Sequence, residues 1–452
     1  MRIVIIGDGK VGYKLAEQLS KEGHDIVLID KNDKLLKKSV EKLDIMGIEG
    51  NGASIKVQLE AGIEYSDILI AATSEDETNL LCCIIAKKSG CKYTIARVRN
   101  LEYDEQIDFL RKDLGLSMTI NPEKTAAIEM FRLLQFPTFL KLDSFMNGSL
   151  ELVELKVRQN SIFNNMKLSN IYNLVKSSVL VCTIEREGKV IVPNGEFILR
   201  EGDKFIIAAQ TNDLSKILKN FKINSVSIDN VIIVGGSRIA IYLAELLIEK
   251  GVNVKIIEKE YSKCKEMASI LSGASIIHAD GSVKDVLMEE GINDTDALVT
   301  LTNIDEENII ISMYANYLGV PKTITKVNRI EFGSVFFEKG IDSIVSPKML
   351  AANEIIRYVR GINNRNSASI INLHRIANEQ VEALEFIIDD NVESLNIPIE
   401  SLKIKSEILL VSISRNGKLI IPKGNDVLKA GDSVVIVTSP ERKIKEFNEI
   451  FI

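Results

Sequence analysis

A self-similarity at a spacing of about 229 residues constrains this chain more than any other feature, because so long a period signals duplicated domains where one of roughly 20–50 would signal a solenoid. The opening run Ile3-Val4-Ile5-Ile6-Gly7-Asp8-Gly9-Lys10-Val11-Gly12 returns as Val231-Ile232-Ile233-Val234-Gly235-Gly236-Ser237-Arg238-Ile239-Ala240. Asp30, closing the second apolar run, returns as Glu258. Gly50-Asn51-Gly52-Ala53-Ser54 matches Ala279-Asp280-Gly281-Ser282, and Thr73-Ser74-Glu75-Asp76-Glu77-Thr78-Asn79 matches Thr302-Asn303-Ile304-Asp305-Glu306-Glu307-Asn308. Ala96-Arg97-Val98 answers Thr325-Lys326-Val327, and near the two ends Glu201-Gly202-Asp203 answers Ala430-Gly431-Asp432. The chain is two tandem copies in one order.

Each copy changes character midway. Residues 2–120 alternate short β-branched runs (Ile3 to Ile6, Ile26 to Ile29, Ile68 to Ala71, Thr94 to Val98) with helical patterns (Lys10 to Lys21, Glu77 to Lys88). This βαβ rhythm predicts a parallel, doubly wound, Rossmann-like α/β sheet covered on both faces. A helix is expected from Glu123 to Gln135, stopped before Pro137. After it, strands at Leu150 to Val157, Val179 to Glu185 and Lys204 to Ala209 with Gly and Pro turns read as a small α+β module. The second copy changes in the same way after Gly361-Ile362-Asn363-Asn364-Arg365-Asn366-Ser367, which reads as a polar linker. The expected domains are 1–136, 137–224, 225–361 and 362–452, in the order A-B-A-B.

Composition narrows the setting. Apolar residues at 46% are too many for a disordered chain. The net charge of −7 offers no basic field to draw in nucleic acid or anionic lipid. No run approaches the roughly 18 consecutive apolar residues of a membrane span, and the start lacks a signal-peptide cleavage region, so a cytoplasmic location is expected. Cys82, Cys83, Cys91, Cys182 and Cys264 are odd in number and lack C-x-x-C spacing, which predicts neither a disulfide framework nor a metal site.

The chemistry concentrates at Gly7-x-Gly9-x-x-Gly12, which follows a buried-type strand, opens a helix and has Asp30 at the end of the next strand. Gly7 permits the tight turn, Gly9 lets backbone approach a pyrophosphate without a Cβ, and Gly12 lets the helix pack close. The helix start would face phosphate, and Asp30 would hold ribose hydroxyls and repel a 2′-phosphate, against NADP. Asp8 is read as a side chain pointing to the surface, with tuning of phosphate affinity as the other reading. Arg97 ends the expected fifth strand at the ligand-binding edge, where a planar cation suits phosphate or ribose; a salt bridge with Asp76-Glu77 is the alternative. Thr73 and Ser74 lie at the same edge, and Asp76 and Glu77 read as first-turn carboxylates on the helix dipole. In the second copy Ser237 replaces the middle glycine, Ala240 the last, and Arg238 adds a charge, so a weaker or different nucleotide site and an empty relic both fit.

An oxidoreductase would need a general acid or base beside the nicotinamide, and none is evident. His24, His278 and His374 read as structural or solvated, and no P-loop, G-x-S-x-G elbow or H-E-x-x-H pair occurs. Ligand binding without turnover, the layout of a sensor, fits better.

Together these motifs, in this order and over the whole chain, resemble the TrkA-type peripheral regulatory subunits of bacterial Trk potassium uptake systems, built from two tandem RCK (KTN) units. The resemblance implies a non-enzymatic regulator that binds NAD(H) or adenine nucleotides (ATP/ADP), assembles as a homotetrameric ring and gates a TrkH-type potassium-conducting subunit from the cytoplasmic face. It places the first site at Gly7, Asp8, Gly9, Lys10, Val11, Asp30, Thr73, Ser74 and Arg97. The second falls at Gly235, Gly236, Ser237, Arg238, Ile239 and Glu258. A regulator of another monovalent-cation transporter, or an NAD-dependent oxidoreductase, remain the competing readings.

Overall fold

Runs of β-branched residues become strands buried on both faces. In the computed structural model, which describes residues 1–175, 179–221, 227–328, 341, 343–363, 370–377, 380–442, 444 and 446–452, the chain opens with β1 (Arg2–Ile6), whose last four side chains are all buried. Then come α1 (Lys10–Lys21), β2 (Asp25–Asp30), α2 (Asp33–Leu43), β3 (Met46–Glu49), α3 (Ile55–Glu60), β4 (Ile68–Ala71), α4 (Asp76–Lys88), β5 (Tyr93–Arg97), α5 (Leu101–Leu110) and β6 (Met118–Ile120). The strands pair in parallel in the order β3-β2-β1-β4-β5-β6, so β1 lies between β2 and β4 at the reversal of strand order where such sheets bind ligands. α1 buries Val11, Leu15, Ala16 and Leu19 at helical spacing against this sheet.

α6 (Pro122–Gln135) follows, starting on a proline whose missing N–H costs nothing at that position. The antiparallel module comprises β7 (Lys141–Phe145), β8 (Leu150–Lys156), α7 (Leu168–Val175), β9 (Val179–Arg186), β10 (Lys189–Ile191), β11 (Lys204–Gln210) and α8 (Leu214–Asn220), with sheet order β10-β9-β11-β8-β7. The second copy repeats the pattern. Its parallel part runs β12 (Asn230–Val234), α9 (Arg238–Ile248), β13 (Asn253–Glu258), α10 (Tyr261–Ile270), β14 (Ala274–His278), α11 (Lys284–Glu289), β15 (Ala297–Thr300), α12 (Asp305–Leu318), β16 (Lys322–Lys326) and β17 (Ser343–Val345), in the order β14-β13-β12-β15-β16-β17. α13 (Pro347–Asn363) leads to β18 (Ile370–Ile376), β19 (Val381–Ile387), β20 (Leu409–Arg415), β21 (Lys418–Ile420) and β22 (Ser433–Thr438), ordered β18-β19-β22-β20-β21. Read from the other edge, this is the first small sheet again.

By packing, the chain divides into two compact units. One is Met1–Ile128 with Val345–Val359; the other is Glu129–Ile344 with Arg360–Ile452. Most of α13, from the second copy, thus belongs with the first sheet. There Thr125 Oγ1 meets the Glu354 carboxylate at 3.2 Å, and the Tyr358 hydroxyl meets the Ser117 carbonyl at 3.4 Å. In the larger unit one apolar core joins the two small sheets, with Phe145, Leu152, Cys182 and Ala208 beside Val381, Ala383, Val411 and Val435. Lys322 is fully buried there and donates to the Phe139 carbonyl at 2.7 Å.

Two expectations change. The polar stretch from Gly361 is not all linker, because α13 continues through Asn363; Asn364, Arg365, Asn366 and Ser367 lie outside the described residues. β7 is a strand that periodicity did not suggest. All five cysteines are buried free thiols, and burial pushes those of Cys82 and Cys182 up to about 12. Among the described residues no helix is long and apolar enough to cross a membrane.

Candidate nucleotide site

Gly7 follows β1 with φ +103°, and a Cβ there would lie 3.0 Å from the Ala72 carbonyl carbon and the Thr73 nitrogen, so the turn and the end of β4 can touch only at glycine. Gly9 is the N-cap of α1, with open space on its Cβ side and no side-chain cap. α2 and α5, by contrast, are capped by Asn32 and Asn100 side chains. The first N–H bonded within α1 is that of Tyr13, to the Gly9 carbonyl at 2.9 Å. An uncapped helix start beneath an open glycine is a surface suited to an anion. Gly12 is the tightest position, since a Cβ would sit 1.8 Å from the Gly7 oxygen.

Asp30 reaches across from β2. Its carboxylate accepts the Asp8 N–H at 2.6 Å and the Asn32 N–H at 2.7 Å, holding the glycine turn and the start of α2 in one geometry. The Asp8 side chain does not point to the surface: it is 1% exposed and accepts the Ser39 hydroxyl of α2 at 2.7 Å. Burial raises its pKa, the Ser39 bond opposes that, and Asp30 adds to it. Its Oδ1 has no hydrogen-bond partner among the described residues. Lys10 is exposed at the mouth, whereas Val11 turns its side chain into the core.

The loop after β4 is held by a residue that sequence reasoning passed over. Asn79, fully buried, accepts the Thr73 N–H and hydroxyl at 2.8 and 2.7 Å and donates to the carbonyls of Thr73 (3.2 Å) and Arg97 (2.9 Å). It clips the ends of β4 and β5 together, and the Thr73 hydroxyl is turned inward onto it. Its recurrence as Asn308 was the available signal. Arg97 ends β5 half-buried at the same edge. The guanidinium that pairs with Asp76 is that of Arg99, at 3.7 Å, and it also donates to the Ser74 carbonyl. Asp76 and Glu77 do sit in the first turn of α4, yet Asp76 accepts the Arg99 and Asn100 N–H groups (2.7 and 2.8 Å) and Glu77 the Tyr103 hydroxyl (2.6 Å).

The second edge repeats the frame with other contents. Gly235 has the same φ of +103°, and Glu258 accepts the Gly236 and Glu260 N–H groups at 2.6 and 2.7 Å, as Asp30 does. Asn308 clips Thr302 to Lys326. Arg238 is exposed and Ile239 buried, like Lys10 and Val11. The differences lie at Ser237, whose N–H folds back onto the Gly235 carbonyl at 3.1 Å and whose buried hydroxyl has no partner among the described residues, and at Lys326, which is 6% exposed with its ammonium 3.3 Å from the Leu301 carbonyl.

Family comparison assigns both halves alike. The TrkA-N domain model matches residues 3–122 and 231–347, and the TrkA-C domain model matches 152–222 and 383–452. Relatives include a Trk system potassium uptake protein TrkA homolog of Archaeoglobus fulgidus, 31% identical over 451 residues and covering 100% of both chains. The Trk system potassium uptake protein TrkA of Haemophilus influenzae is 29% identical over 100% of this chain and 98% of its own. Among solved structures, the GsuK RCK domain superposes with a TM-score of 0.62 at 18% identity, covering 97% of this chain and 92% of that one; the GsuK channel bound to NAD gives 0.62 at 17%, covering 97% and 77%.

Proposed function

The chain belongs to the TrkA family, with two TrkA-N and two TrkA-C domains in tandem, and from that premise we propose that it is the peripheral nucleotide-sensing subunit of a potassium uptake system, without catalysis of its own. The observation that carries the reading is the first sheet's edge: an uncapped helix start under an open glycine, with Asp30 and Arg97 flanking it. The N–H groups opening α1 would take phosphate, Asp30 would take ribose hydroxyls, and Arg97 would neutralise phosphate charge. NAD(H) and the adenine nucleotides share those groups, and NAD is what one GsuK structure holds and ADP another.

The regulatory step follows from how the edge is tied. Ligand contacts at Asp30 and Arg97 act on the groups that fix α2 and the β4–β5 loop. α6 and α13 each contribute residues to both compact units, so a change at this edge has covalent routes into the rest of the chain. The partner is a TrkH-type membrane subunit docked by a homotetrameric ring at the inner membrane face. Titration calorimetry with NADH, NAD, ATP and ADP tests the site: Asp30→Ala and Arg97→Ala should each weaken binding by about 10-fold or more, the cost of losing a charge-assisted hydrogen bond. Unchanged affinity in both variants would sink it. Potassium flux through the co-purified membrane subunit in vesicles should respond to the same nucleotide and lose that response in both variants.

A further inference from the structure

The two parallel sheets share one frame, yet the middle glycine of the first turn, Gly9, is replaced in the second by Ser237. We infer that the second edge is closed by its own groups, Ser237 and Lys326, so that each chain takes one dinucleotide, at the first edge only. The inference rests on the first-site reading above.

Three observations carry it. In the first turn the Cβ side of Gly9 is open, with no atom within 4 Å, and this is the approach a pyrophosphate needs. In the second turn Ser237 holds that position with nearly the same backbone angles (φ −86°, ψ 168° against φ −75°, ψ 179° at Gly9), so its Cβ stands on the side that Gly9 leaves open. The hydroxyl is buried without a partner among the described residues, so it adds bulk without a bond that its surroundings already use. The donors differ as well. The Ser237 N–H, one of those an anion would need, is spent on the Gly235 carbonyl, a bond that Gly9 does not form among the described residues. Finally, Lys326 stands where Arg97 ends β5, but it is buried and directed onto the Leu301 carbonyl, so the cation serves the protein's own backbone. Glu258 keeps the geometry of Asp30, which is why the acidic residue alone does not reveal the difference.

The floor beneath the turn has changed in step. Asp8 and Ser39 meet there in the first copy; in the second, Gly236 lies against Met267, whose Cε is 2.5 Å from where a Cβ would be. Any side chain at that position would have to displace the Met267 methyl.

Titration of the full chain with NADH, read by calorimetry and by NADH fluorescence, should saturate at one per chain, with no second phase up to about 100-fold the first dissociation constant, a gap of about 2.7 kcal/mol. Gly9→Ser, which copies the second turn into the first, should abolish saturable binding. Ser237→Gly with Lys326→Arg should move the stoichiometry toward two. Two equivalents on the unaltered chain, or one equivalent at unaltered affinity in Gly9→Ser, would overturn the inference. A double variant still binding one would overturn the assignment to these two residues. If none of NADH, NAD, ATP or ADP binds the unaltered chain, the first-site reading fails and this inference with it.

Discussion

At Gly12 a single methyl group would lie 1.8 Å from the Gly7 oxygen, so Gly12→Ala has to push α1 off the glycine turn. We expect it to lower stability by about 1–3 kcal/mol, as other overpacking changes do, and to weaken nucleotide binding along with it. Gly9→Ser should separate the two effects, since its Cβ enters open space: the urea midpoint should stay near that of the unaltered chain while binding is lost. Equal destabilisation by both variants would contradict the geometry. The tight turn at Gly7 and the close helix packing at Gly12 were legible in the sequence because a local strand–turn–helix frame fixes them. Asp8 was misread because its partner, Ser39, is 31 residues away, and no pattern in the turn announces a buried acceptor.

Between elements, the same clip is built twice. Asn79 and Asn308 each join the loop after the fourth strand of a parallel sheet to the end of the fifth, both fully buried. Alanine at either position strands a backbone N–H and two carbonyls, and each such orphan costs about 1–3 kcal/mol without full additivity. Asn79→Ala and Asn308→Ala should therefore both fall by roughly 2–4 kcal/mol in urea unfolding, with only Asn79→Ala also weakening nucleotide binding. The small sheets hold another matched pair: Arg186 grips Asp203 at 2.8 and 2.7 Å, and Arg415 grips Asp432 at 2.8 and 2.8 Å. Both aspartates stand in the repeated Gly-Asp sequence, so the duplication was readable while its ion pairs were not. Helix α1 and strand β4 end where periodicity put them. β7 escaped notice because Lys141, Asp143 and Ser144 read as loop; inside the larger unit they find charged partners.

Those partners give the whole molecule a pH signature. Glu129 of α6 faces Arg132 on its own helix, Lys141 and Asp143 on β7, and Glu151 on β8; burial pushes its carboxyl up to about 7 against the pull of Arg132. A raised carboxyl stabilises the fold at low pH, and that contribution is lost as pH rises from about 4.5 through about 7. Burial also acts on Asp143, but Lys141 and His374, the latter 3.0 Å away on β18, outweigh it and hold the carboxyl at about 2. Its contribution is present above the ordinary range near 3.8 and lost as pH falls toward about 2. Thermal unfolding from pH 4 to 8 should thus show a decline toward neutral pH that Glu129→Gln flattens; an identical profile in that variant would refute the assignment. Periodicity showed two copies but not how they share helices, because membership in a unit is decided by contacts across hundreds of residues. The first unit needs Val345–Val359 to be complete, and this bears on how the protein is made. At a ribosomal rate of roughly 5–20 residues per second, the 231 residues from Glu129 through Val359 (359 − 128) take roughly 10–50 seconds to emerge. For that interval the nascent first unit lacks the helix that the second copy contributes, so it can be completed only after most of the second copy has been translated.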